Sequence, residues 1–140
     1  MEPIVFYPKK RISLEDGDVF HFINSSDENF CGFGEAYFSS IKFQSIKGWK
    51  KHNLMTMNLI CVFGKVKFIF AEEDDLKNWN FSEFILEPDR NGVLKVPPGY
   101  FFSFVGLGKD YNLISNFSNL RHDESEITRI PLENIPYKWK

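Results

Sequence analysis

Apolar and polar residues alternate along much of this chain, and Gly or Pro interrupts the alternation at short intervals. Val19, Phe20, His21, Phe22 and Ile23 follow a Gly17-Asp18 turn. Residues 36–39 and 41–43 read as short strands, as do 59–62 and 65–70 around Phe63-Gly64. That pair predicts a tight hairpin. In its second arm Lys65 and Lys67 alternate with Val66, Phe68 and Phe70, the pattern of a half-buried strand. Residues 84–86, 93–96, 100–105 and 113–117 complete the series, with Asn91-Gly92 as a turn and Pro97-Pro98-Gly99 as a rigid corner. Strands at this spacing predict an all-β sandwich or barrel. Residues 72–79 are open between a helical turn or two and an acidic loop. The tail from Ile130 carries two prolines and reads as extended.

One polar cluster stands out in this apolar background. Lys47, Gly48, Trp49, Lys50, Lys51 and His52 place three cations, an indole and an imidazole together at what reads as a turn. Framed by core strands, such a group suits a pocket for an anionic ligand. An exposed basic loop is the alternative.

Composition narrows the classes. The 140 residues suit a single domain, residues 1–140, large enough to bury a core. With 43% hydrophobic residues and 16 Phe the chain is too apolar for disorder. A net charge of -2 provides no global field for nucleic acid or acidic membranes. No apolar run approaches the length of a membrane span, about 20 residues. The first residues, MEPIVFYPKKR, lack the apolar centre of a signal peptide. Cys31 and Cys61 both adjoin apolar residues and read as buried free thiols, which suits a reducing cytoplasm.

The segments GEAYFS (34–39), IKGWKKH (46–52), MTMNL (55–59), FGKVKF (63–68), KVPPGYFFSF (95–104), HDESEITR (122–129) and IPYKW (135–139) occur in an order that resembles one family. The chain is similar to the short, RmlC-like branch of the cupins, the relatives of dTDP-4-dehydrorhamnose 3,5-epimerase. The resemblance implies a β jelly-roll barrel, a homodimer, and a pocket inside the barrel. It implies an isomerase acting on a nucleotide-linked 4-keto-6-deoxy sugar for surface-polysaccharide synthesis, with no redox cofactor or metal. In that chemistry a base removes a proton next to a ketone, a donor stabilises the enolate, and an acid returns the proton.

Several family positions are altered. The usual base, a histidine after the Gly-Trp pair, is matched by Lys50. A lysine serves as a base only if burial or adjacent cations lower its pKa by several units. The usual acid, a tyrosine on a late strand, is matched by Ile114, the histidine after the Pro-x-Gly corner by Phe102, and a phosphate-holding arginine by Phe33. The candidate catalytic residues are therefore Lys50, His52 and His122. Lys50 and His52, two apart on an extended chain, share a side. Candidate substrate-binding residues are Lys47 for the diphosphate, with Trp49, Glu35, Tyr37 and Asn58 for the sugar or base. Packing is the alternative for Trp49 and Asn58, and Thr56 is open in the same way, whereas Met55 and Met57 read as core filler rather than ligand contacts.

The metal-ligand positions common in cupins read Lys50, Thr56 or Met57, and Phe102, leaving only His52, so no metal is expected. A Gly-rich phosphate loop, Cys/His zinc spacing and a nucleophile elbow are all missing from the sequence. Two readings compete with an isomerase. One is an inactive sugar-nucleotide-binding cupin. The other is a single-strand nucleic-acid binder in which Trp49 stacks between Lys47, Lys50 and Lys51, against which the neutral remainder of the chain argues.

Overall fold

The structure is a computed structural model that describes residues 1–139. Among the described residues there are twelve strands, the first six being β1 (Val5–Pro8), β2 (Arg11–Ile12), β3 (Val19–Phe20), β4 (Glu35–Ser40), β5 (Ile46–His52) and β6 (Met57–Phe63). The rest are β7 (Val66–Glu73), β8 (Trp79–Leu86), β9 (Gly92–Val96), β10 (Phe101–Gly106), β11 (Leu113–Ser118) and β12 (Ile127–Arg129). They form two five-stranded antiparallel sheets, ordered β1-β9-β6-β11-β4 and β12-β5-β10-β7-β8, with β2-β3 as a separate ribbon. Only short 3-10 turns accompany them, and no helix among the described residues is long and apolar enough to cross a membrane. This is the all-β, cupin-like jelly roll that the strand pattern and the family resemblance led us to expect.

The sheets face each other across a core that period-two alternation creates. Met57, Leu59, Leu94, Val96 and Ile114 project from the first sheet and meet Phe68, Phe70, Leu86 and Phe102 of the second. A second apolar layer covers the outer face of the β12-β5-β10-β7-β8 sheet. There Trp49, Ile69 and Ala71 pack under the tail residues Ile130, Leu132, Ile135, Tyr137 and Trp139. The tail contains a 3-10 turn at Leu132–Asn134, a short interruption of the expected extended run.

Phe63-Gly64 does not close a hairpin. β6 pairs with β9 and β11, whereas β7 pairs with β8 and β10, so this turn carries the chain from one sheet to the other. Gly64 is required there: its φ is +84, and a Cβ would collide with the Tyr111 carbonyl and the Asn112 side chain. Asn112, fully buried, secures the crossing. Its Oδ1 accepts from Lys65 N at 2.9 Å and Gly108 N at 3.0 Å, and its Nδ2 donates to Ile41 O at 3.1 Å and Gly108 O at 2.9 Å. The real hairpin joins β7 to β8 through residues 74–78, where Asp74 Oδ1 accepts from Leu76 N and Asn78 N, both at 2.9 Å. The doubtful stretch 72–79 is thus neither helix nor long loop.

Other expectations shift at their edges. Only Val19–Phe20 of the segment 19–23 is strand, and residues 41–43 contribute a single bridge, Phe43 to Gly106. The polar cluster 46–52 is a strand, β5, rather than a turn. Cys61 is buried but Cys31 is exposed, and both thiols are free.

Candidate active site

The cavity lies between the sheets and has a volume of about 320 Å³. Its apolar lining comes from Met57, Leu59, Phe68, Phe102, Phe104 and Ile114. Its polar lining comes from Tyr37, Ser39, Lys47, Lys50, Asn116 and Arg129. Gly48, Trp49 and Ile130 complete the wall. Among the described residues no Asp or Glu lines it, so the cavity carries three cations and no carboxylate. Such a space attracts an anion.

A β-bulge explains how one short strand delivers two of those cations. Lys50 is opposite Phe102 and Lys47 is opposite Phe104, yet the two lysines are three positions apart. A regular strand would send them to opposite faces. The register slips between Phe102 and Ser103, so Trp49 is the extra residue. Its backbone N–H and carbonyl turn instead to Ile130, at 3.3 and 3.2 Å. The indole occupies the outer layer, 1% exposed, with Nε1 donating to the Leu132 carbonyl at 3.1 Å. Trp49 therefore forms cavity wall, but its ring is packed against Tyr137 and Trp139. It is not free to stack on a sugar or a base, which also removes the proposed nucleic-acid clamp.

Lys47 donates to the Ser40 carbonyl at 2.7 Å and lies 5.9 Å from the centre of the Phe104 ring. Lys50 is half-buried and, among the described residues, has no hydrogen-bond or ion-pair partner. Burial lowers its pKa, and Arg129, its register partner on β12, lowers it further. Arg129 is held by Glu124, with Nη1 at 2.6 Å from both carboxylate oxygens. Lys51 points outward over the Phe101 ring, 4.7 Å from its centre.

Tyr37 enters the cavity from β4. The Asn116 Nδ2 donates to its Oη at 3.1 Å, which occupies an oxygen lone pair and leaves the hydroxyl proton free to face the cavity. Burial raises the Tyr37 pKa, so the phenol is protonated at neutral pH and able to donate. Tyr37 and Ile114 sit on adjacent paired strands, Tyr37 opposite Asn116 and Ser39 opposite Ile114. A phenol thus reaches the chamber from β4, although β11 offers only Ile114 where the family tyrosine was expected.

His52 lies behind this chamber. It is 3% exposed and does not line the cavity; the Phe102 ring stacks against it, centroids 6.1 Å apart. Nδ1 donates to Glu126 Oε2 at 2.5 Å, while Nε2 is buried with no partner. Burial lowers the His52 pKa more than Glu126 raises it, so the imidazole is neutral. Burial pushes Glu126 upward, but His52 and the N–H groups of Leu54 and Met55 outweigh it and keep the carboxylate ionised.

The other candidates are elsewhere. His122 is exposed and sits 3.6 Å from Glu124. Glu35 is half-buried at the start of β4, outside the cavity lining. Asn58 is buried behind the sheet: its Nδ2 donates to Asn29 O at 3.2 Å and its Oδ1 accepts from Asn29 Nδ2 at 2.8 Å. Thr56 is likewise outside the lining, whereas Met57 belongs to the apolar wall. Sequence reasoning missed Arg129, Asn116 and Glu126. Arg129 closes the HDESEITR segment, but its pairing with Lys50 is seen only in the strand register. No local pattern distinguished Glu126 from the acids around it. No group of His, Cys, Asp and Glu among the described residues is arranged to hold a metal.

A dTDP sugar isomerase from Desulfovibrio desulfuricans superposes with a TM-score of 0.91 and 26% identity, over 99% of this chain and 91% of that one. The chain has the RmlC-like cupin fold. Two further members of this fold are a sugar 3,4-ketoisomerase from Thermoanaerobacterium thermosaccharolyticum, solved with TDP, and a dTDP-4-dehydrorhamnose 3,5-epimerase from Sulfolobus tokodaii. The ketoisomerase has a TM-score of 0.76 and 17% identity, over 91% of this chain and 88% of that one. For the epimerase the values are 0.83 and 13%, over 98% and 82%. No family model matches the chain, and no curated protein matches it by sequence.

Proposed function

We propose that this RmlC-like cupin is an isomerase of a nucleoside-diphosphate 4-keto-6-deoxy sugar, moving protons at the carbons beside the ketone. The observation that carries the reading is the pairing, in one apolar cavity, of an unpartnered half-buried amine, Lys50, with a proton-donating phenol, Tyr37. Solved proteins of the same fold are dTDP-sugar isomerases and epimerases, one of them bound to TDP.

Each group has a role that its surroundings support. Lys47 and Arg129 supply positive charge for the diphosphate. The Tyr37 hydroxyl donates to the ketone oxygen as charge develops on it. Lys50, with its amine pKa lowered, is the reactive base of the cavity. His52 and Glu126 brace the wall from behind, holding the Leu54–Met55 backbone. The chemistry asks for no metal or redox cofactor. Free Cys31 and Cys61 fit a reducing cytoplasm. Exposed Phe38, Val62 and Phe63 on the first sheet fit a homodimer contact. A deoxy sugar carried on a nucleotide fits supply to surface-polysaccharide synthesis.

The test is proton exchange. In deuterated water with dTDP-4-keto-6-deoxyglucose, the protein washes deuterium into C3 or C5, followed by NMR, and Lys50→Ala does not. Line-broadening of the nucleotide sugar without exchange would replace this reading with that of an inactive binding cupin. Phe102 and Ile114, apolar where the family carries proton-transfer groups, are what favours that second reading.

A further inference from the structure

Lys47 and Lys50 are the two lysines that line the cavity among the described residues. Lys9, Lys65 and Lys67 are paired with Asp27, Glu87 and Glu83, and Lys47 is tied to the Ser40 carbonyl. Lys50 has no such partner among the described residues, and apolar Phe102 faces it across the sheet. Arg129, on its other side, is a second cation, itself held by Glu124. Glu124, Glu126 and Glu35 pull the Lys50 pKa back up, so burial is the main cause of its lowering. An amine in apolar surroundings beside another positive charge is held toward its neutral, nucleophilic form. The lowered pKa of Lys50 agrees with this geometry.

We propose that Lys50 acts covalently, its Nζ forming an imine with the C4 ketone of the bound sugar. This rests on the isomerase reading but gives Lys50 a nucleophilic role in place of the base role stated there, the Tyr37 phenolate taking the proton from carbon. The neutral amine attacks C4, and a proton passes from nitrogen to oxygen to give a carbinolamine. The C4–O bond then breaks, the Tyr37 phenol supplies the proton, and water leaves. The products are a protonated imine and the Tyr37 phenolate. The cationic nitrogen draws electrons from C4 and acidifies the hydrogens at C3 and C5. The phenolate removes one of them, giving an enamine and restoring the phenol. Cavity water returns a proton to carbon, and the hydroxide so formed adds to C4, releasing ketone and free amine. No oxidant or reductant enters. A lysine at the position of the family histidine would thus replace simple base catalysis by covalent activation of the ketone.

Trapping tests it. Full-length protein is incubated with dTDP-4-keto-6-deoxyglucose and sodium cyanoborohydride, and adducts are mapped by peptide mass spectrometry. The expected result is a substrate adduct on Lys50, suppressed by excess dTDP. In Lys50→Arg, which keeps the charge but cannot form an imine, only background labelling of surface lysines is expected. Wild-type exchange at C3 or C5 with no Lys50 adduct would overturn the covalent role and leave the isomerase reading standing. Equal labelling of wild type and Lys50→Arg would overturn it too. With neither binding nor exchange, both readings fall together.

Discussion

The Asn116 side chain donates a hydrogen bond of 3.1 Å to the Tyr37 hydroxyl across two paired strands. The bond fixes the phenol oxygen and frees its proton for a ligand. Tyr37→Phe is therefore expected to slow C3 or C5 exchange by about 10²–10⁴-fold, the range of a lost acid catalyst, with nucleotide affinity little changed. Asn116→Ala leaves the phenol in place but unoriented, so kcat falls while KM holds. Steady-state kinetics separate the two parameters.

Arg129 tunes Lys50. The reactive amine must be neutral, so the rate rises with pH through the Lys50 pKa. Burial and Arg129 both hold that pKa below the usual lysine value. Removing the neighbouring cation in Arg129→Met relaxes one of these effects and raises the pKa. The rising limb of the pH–rate profile then moves to higher pH than in wild type. An unmoved limb would separate Arg129 from the amine's chemistry.

Glu126 accepts from His52 and Met55 N in the interior and from Leu54 N at its edge. Glu126→Ala leaves the buried His52 Nδ1 and Met55 N, and the part-buried Leu54 N, without their acceptor, at an expected cost of about 1–3 kcal/mol for each unsatisfied buried donor. Urea denaturation measures it. The pH dependence has a definite sign. Folded His52 is held neutral, whereas unfolded His52 binds a proton below about pH 6.5. The unfolded state gains protons first, so stability falls as pH drops through that value. Glu126, held below its usual range, adds a second loss as pH falls from about 4.3 through its folded value. His52→Asn is expected to remove the upper step and, by weakening one of the interactions that hold Glu126 down, to shrink the lower one.

Asn112 makes four hydrogen bonds around the crossing from β6 to β7. At about 1 kcal/mol for each bond, Asn112→Ala is expected to cost about 3–4 kcal/mol. The urea midpoint should fall with an unchanged slope, since the surface exposed on unfolding is the same.

Strand locations were readable because alternation and Gly/Pro breaks are local. Sheet membership was not. Phe63-Gly64 has hairpin chemistry, yet the strands it joins belong to different sheets, and only pairing with residues far along the chain decides that. The Lys47–His52 cluster was visible as chemistry but was read as a turn. The bulge at Trp49, which puts Lys47 and Lys50 on one face, depends on the Ile130 backbone and leaves no mark in the local pattern. Tyr37 was legible as a candidate, but its orientation needs Asn116 on the neighbouring strand. The pairing of His52 with Glu126 joins residues that no spacing rule connects.

The tail layer has an optical consequence. Trp49, Trp79 and Trp139 are the three tryptophans of the chain, and all lie in the outer cluster where the tail meets the sheet, Trp139 on the tail itself. The barrel interior holds none, only phenylalanine and tyrosine rings. Indole emission thus reports on the seam between tail and sheet, while far-ultraviolet dichroism reports on the strands. If the tail lifts before the barrel opens, the two signals will trace separate melting curves from a single sample.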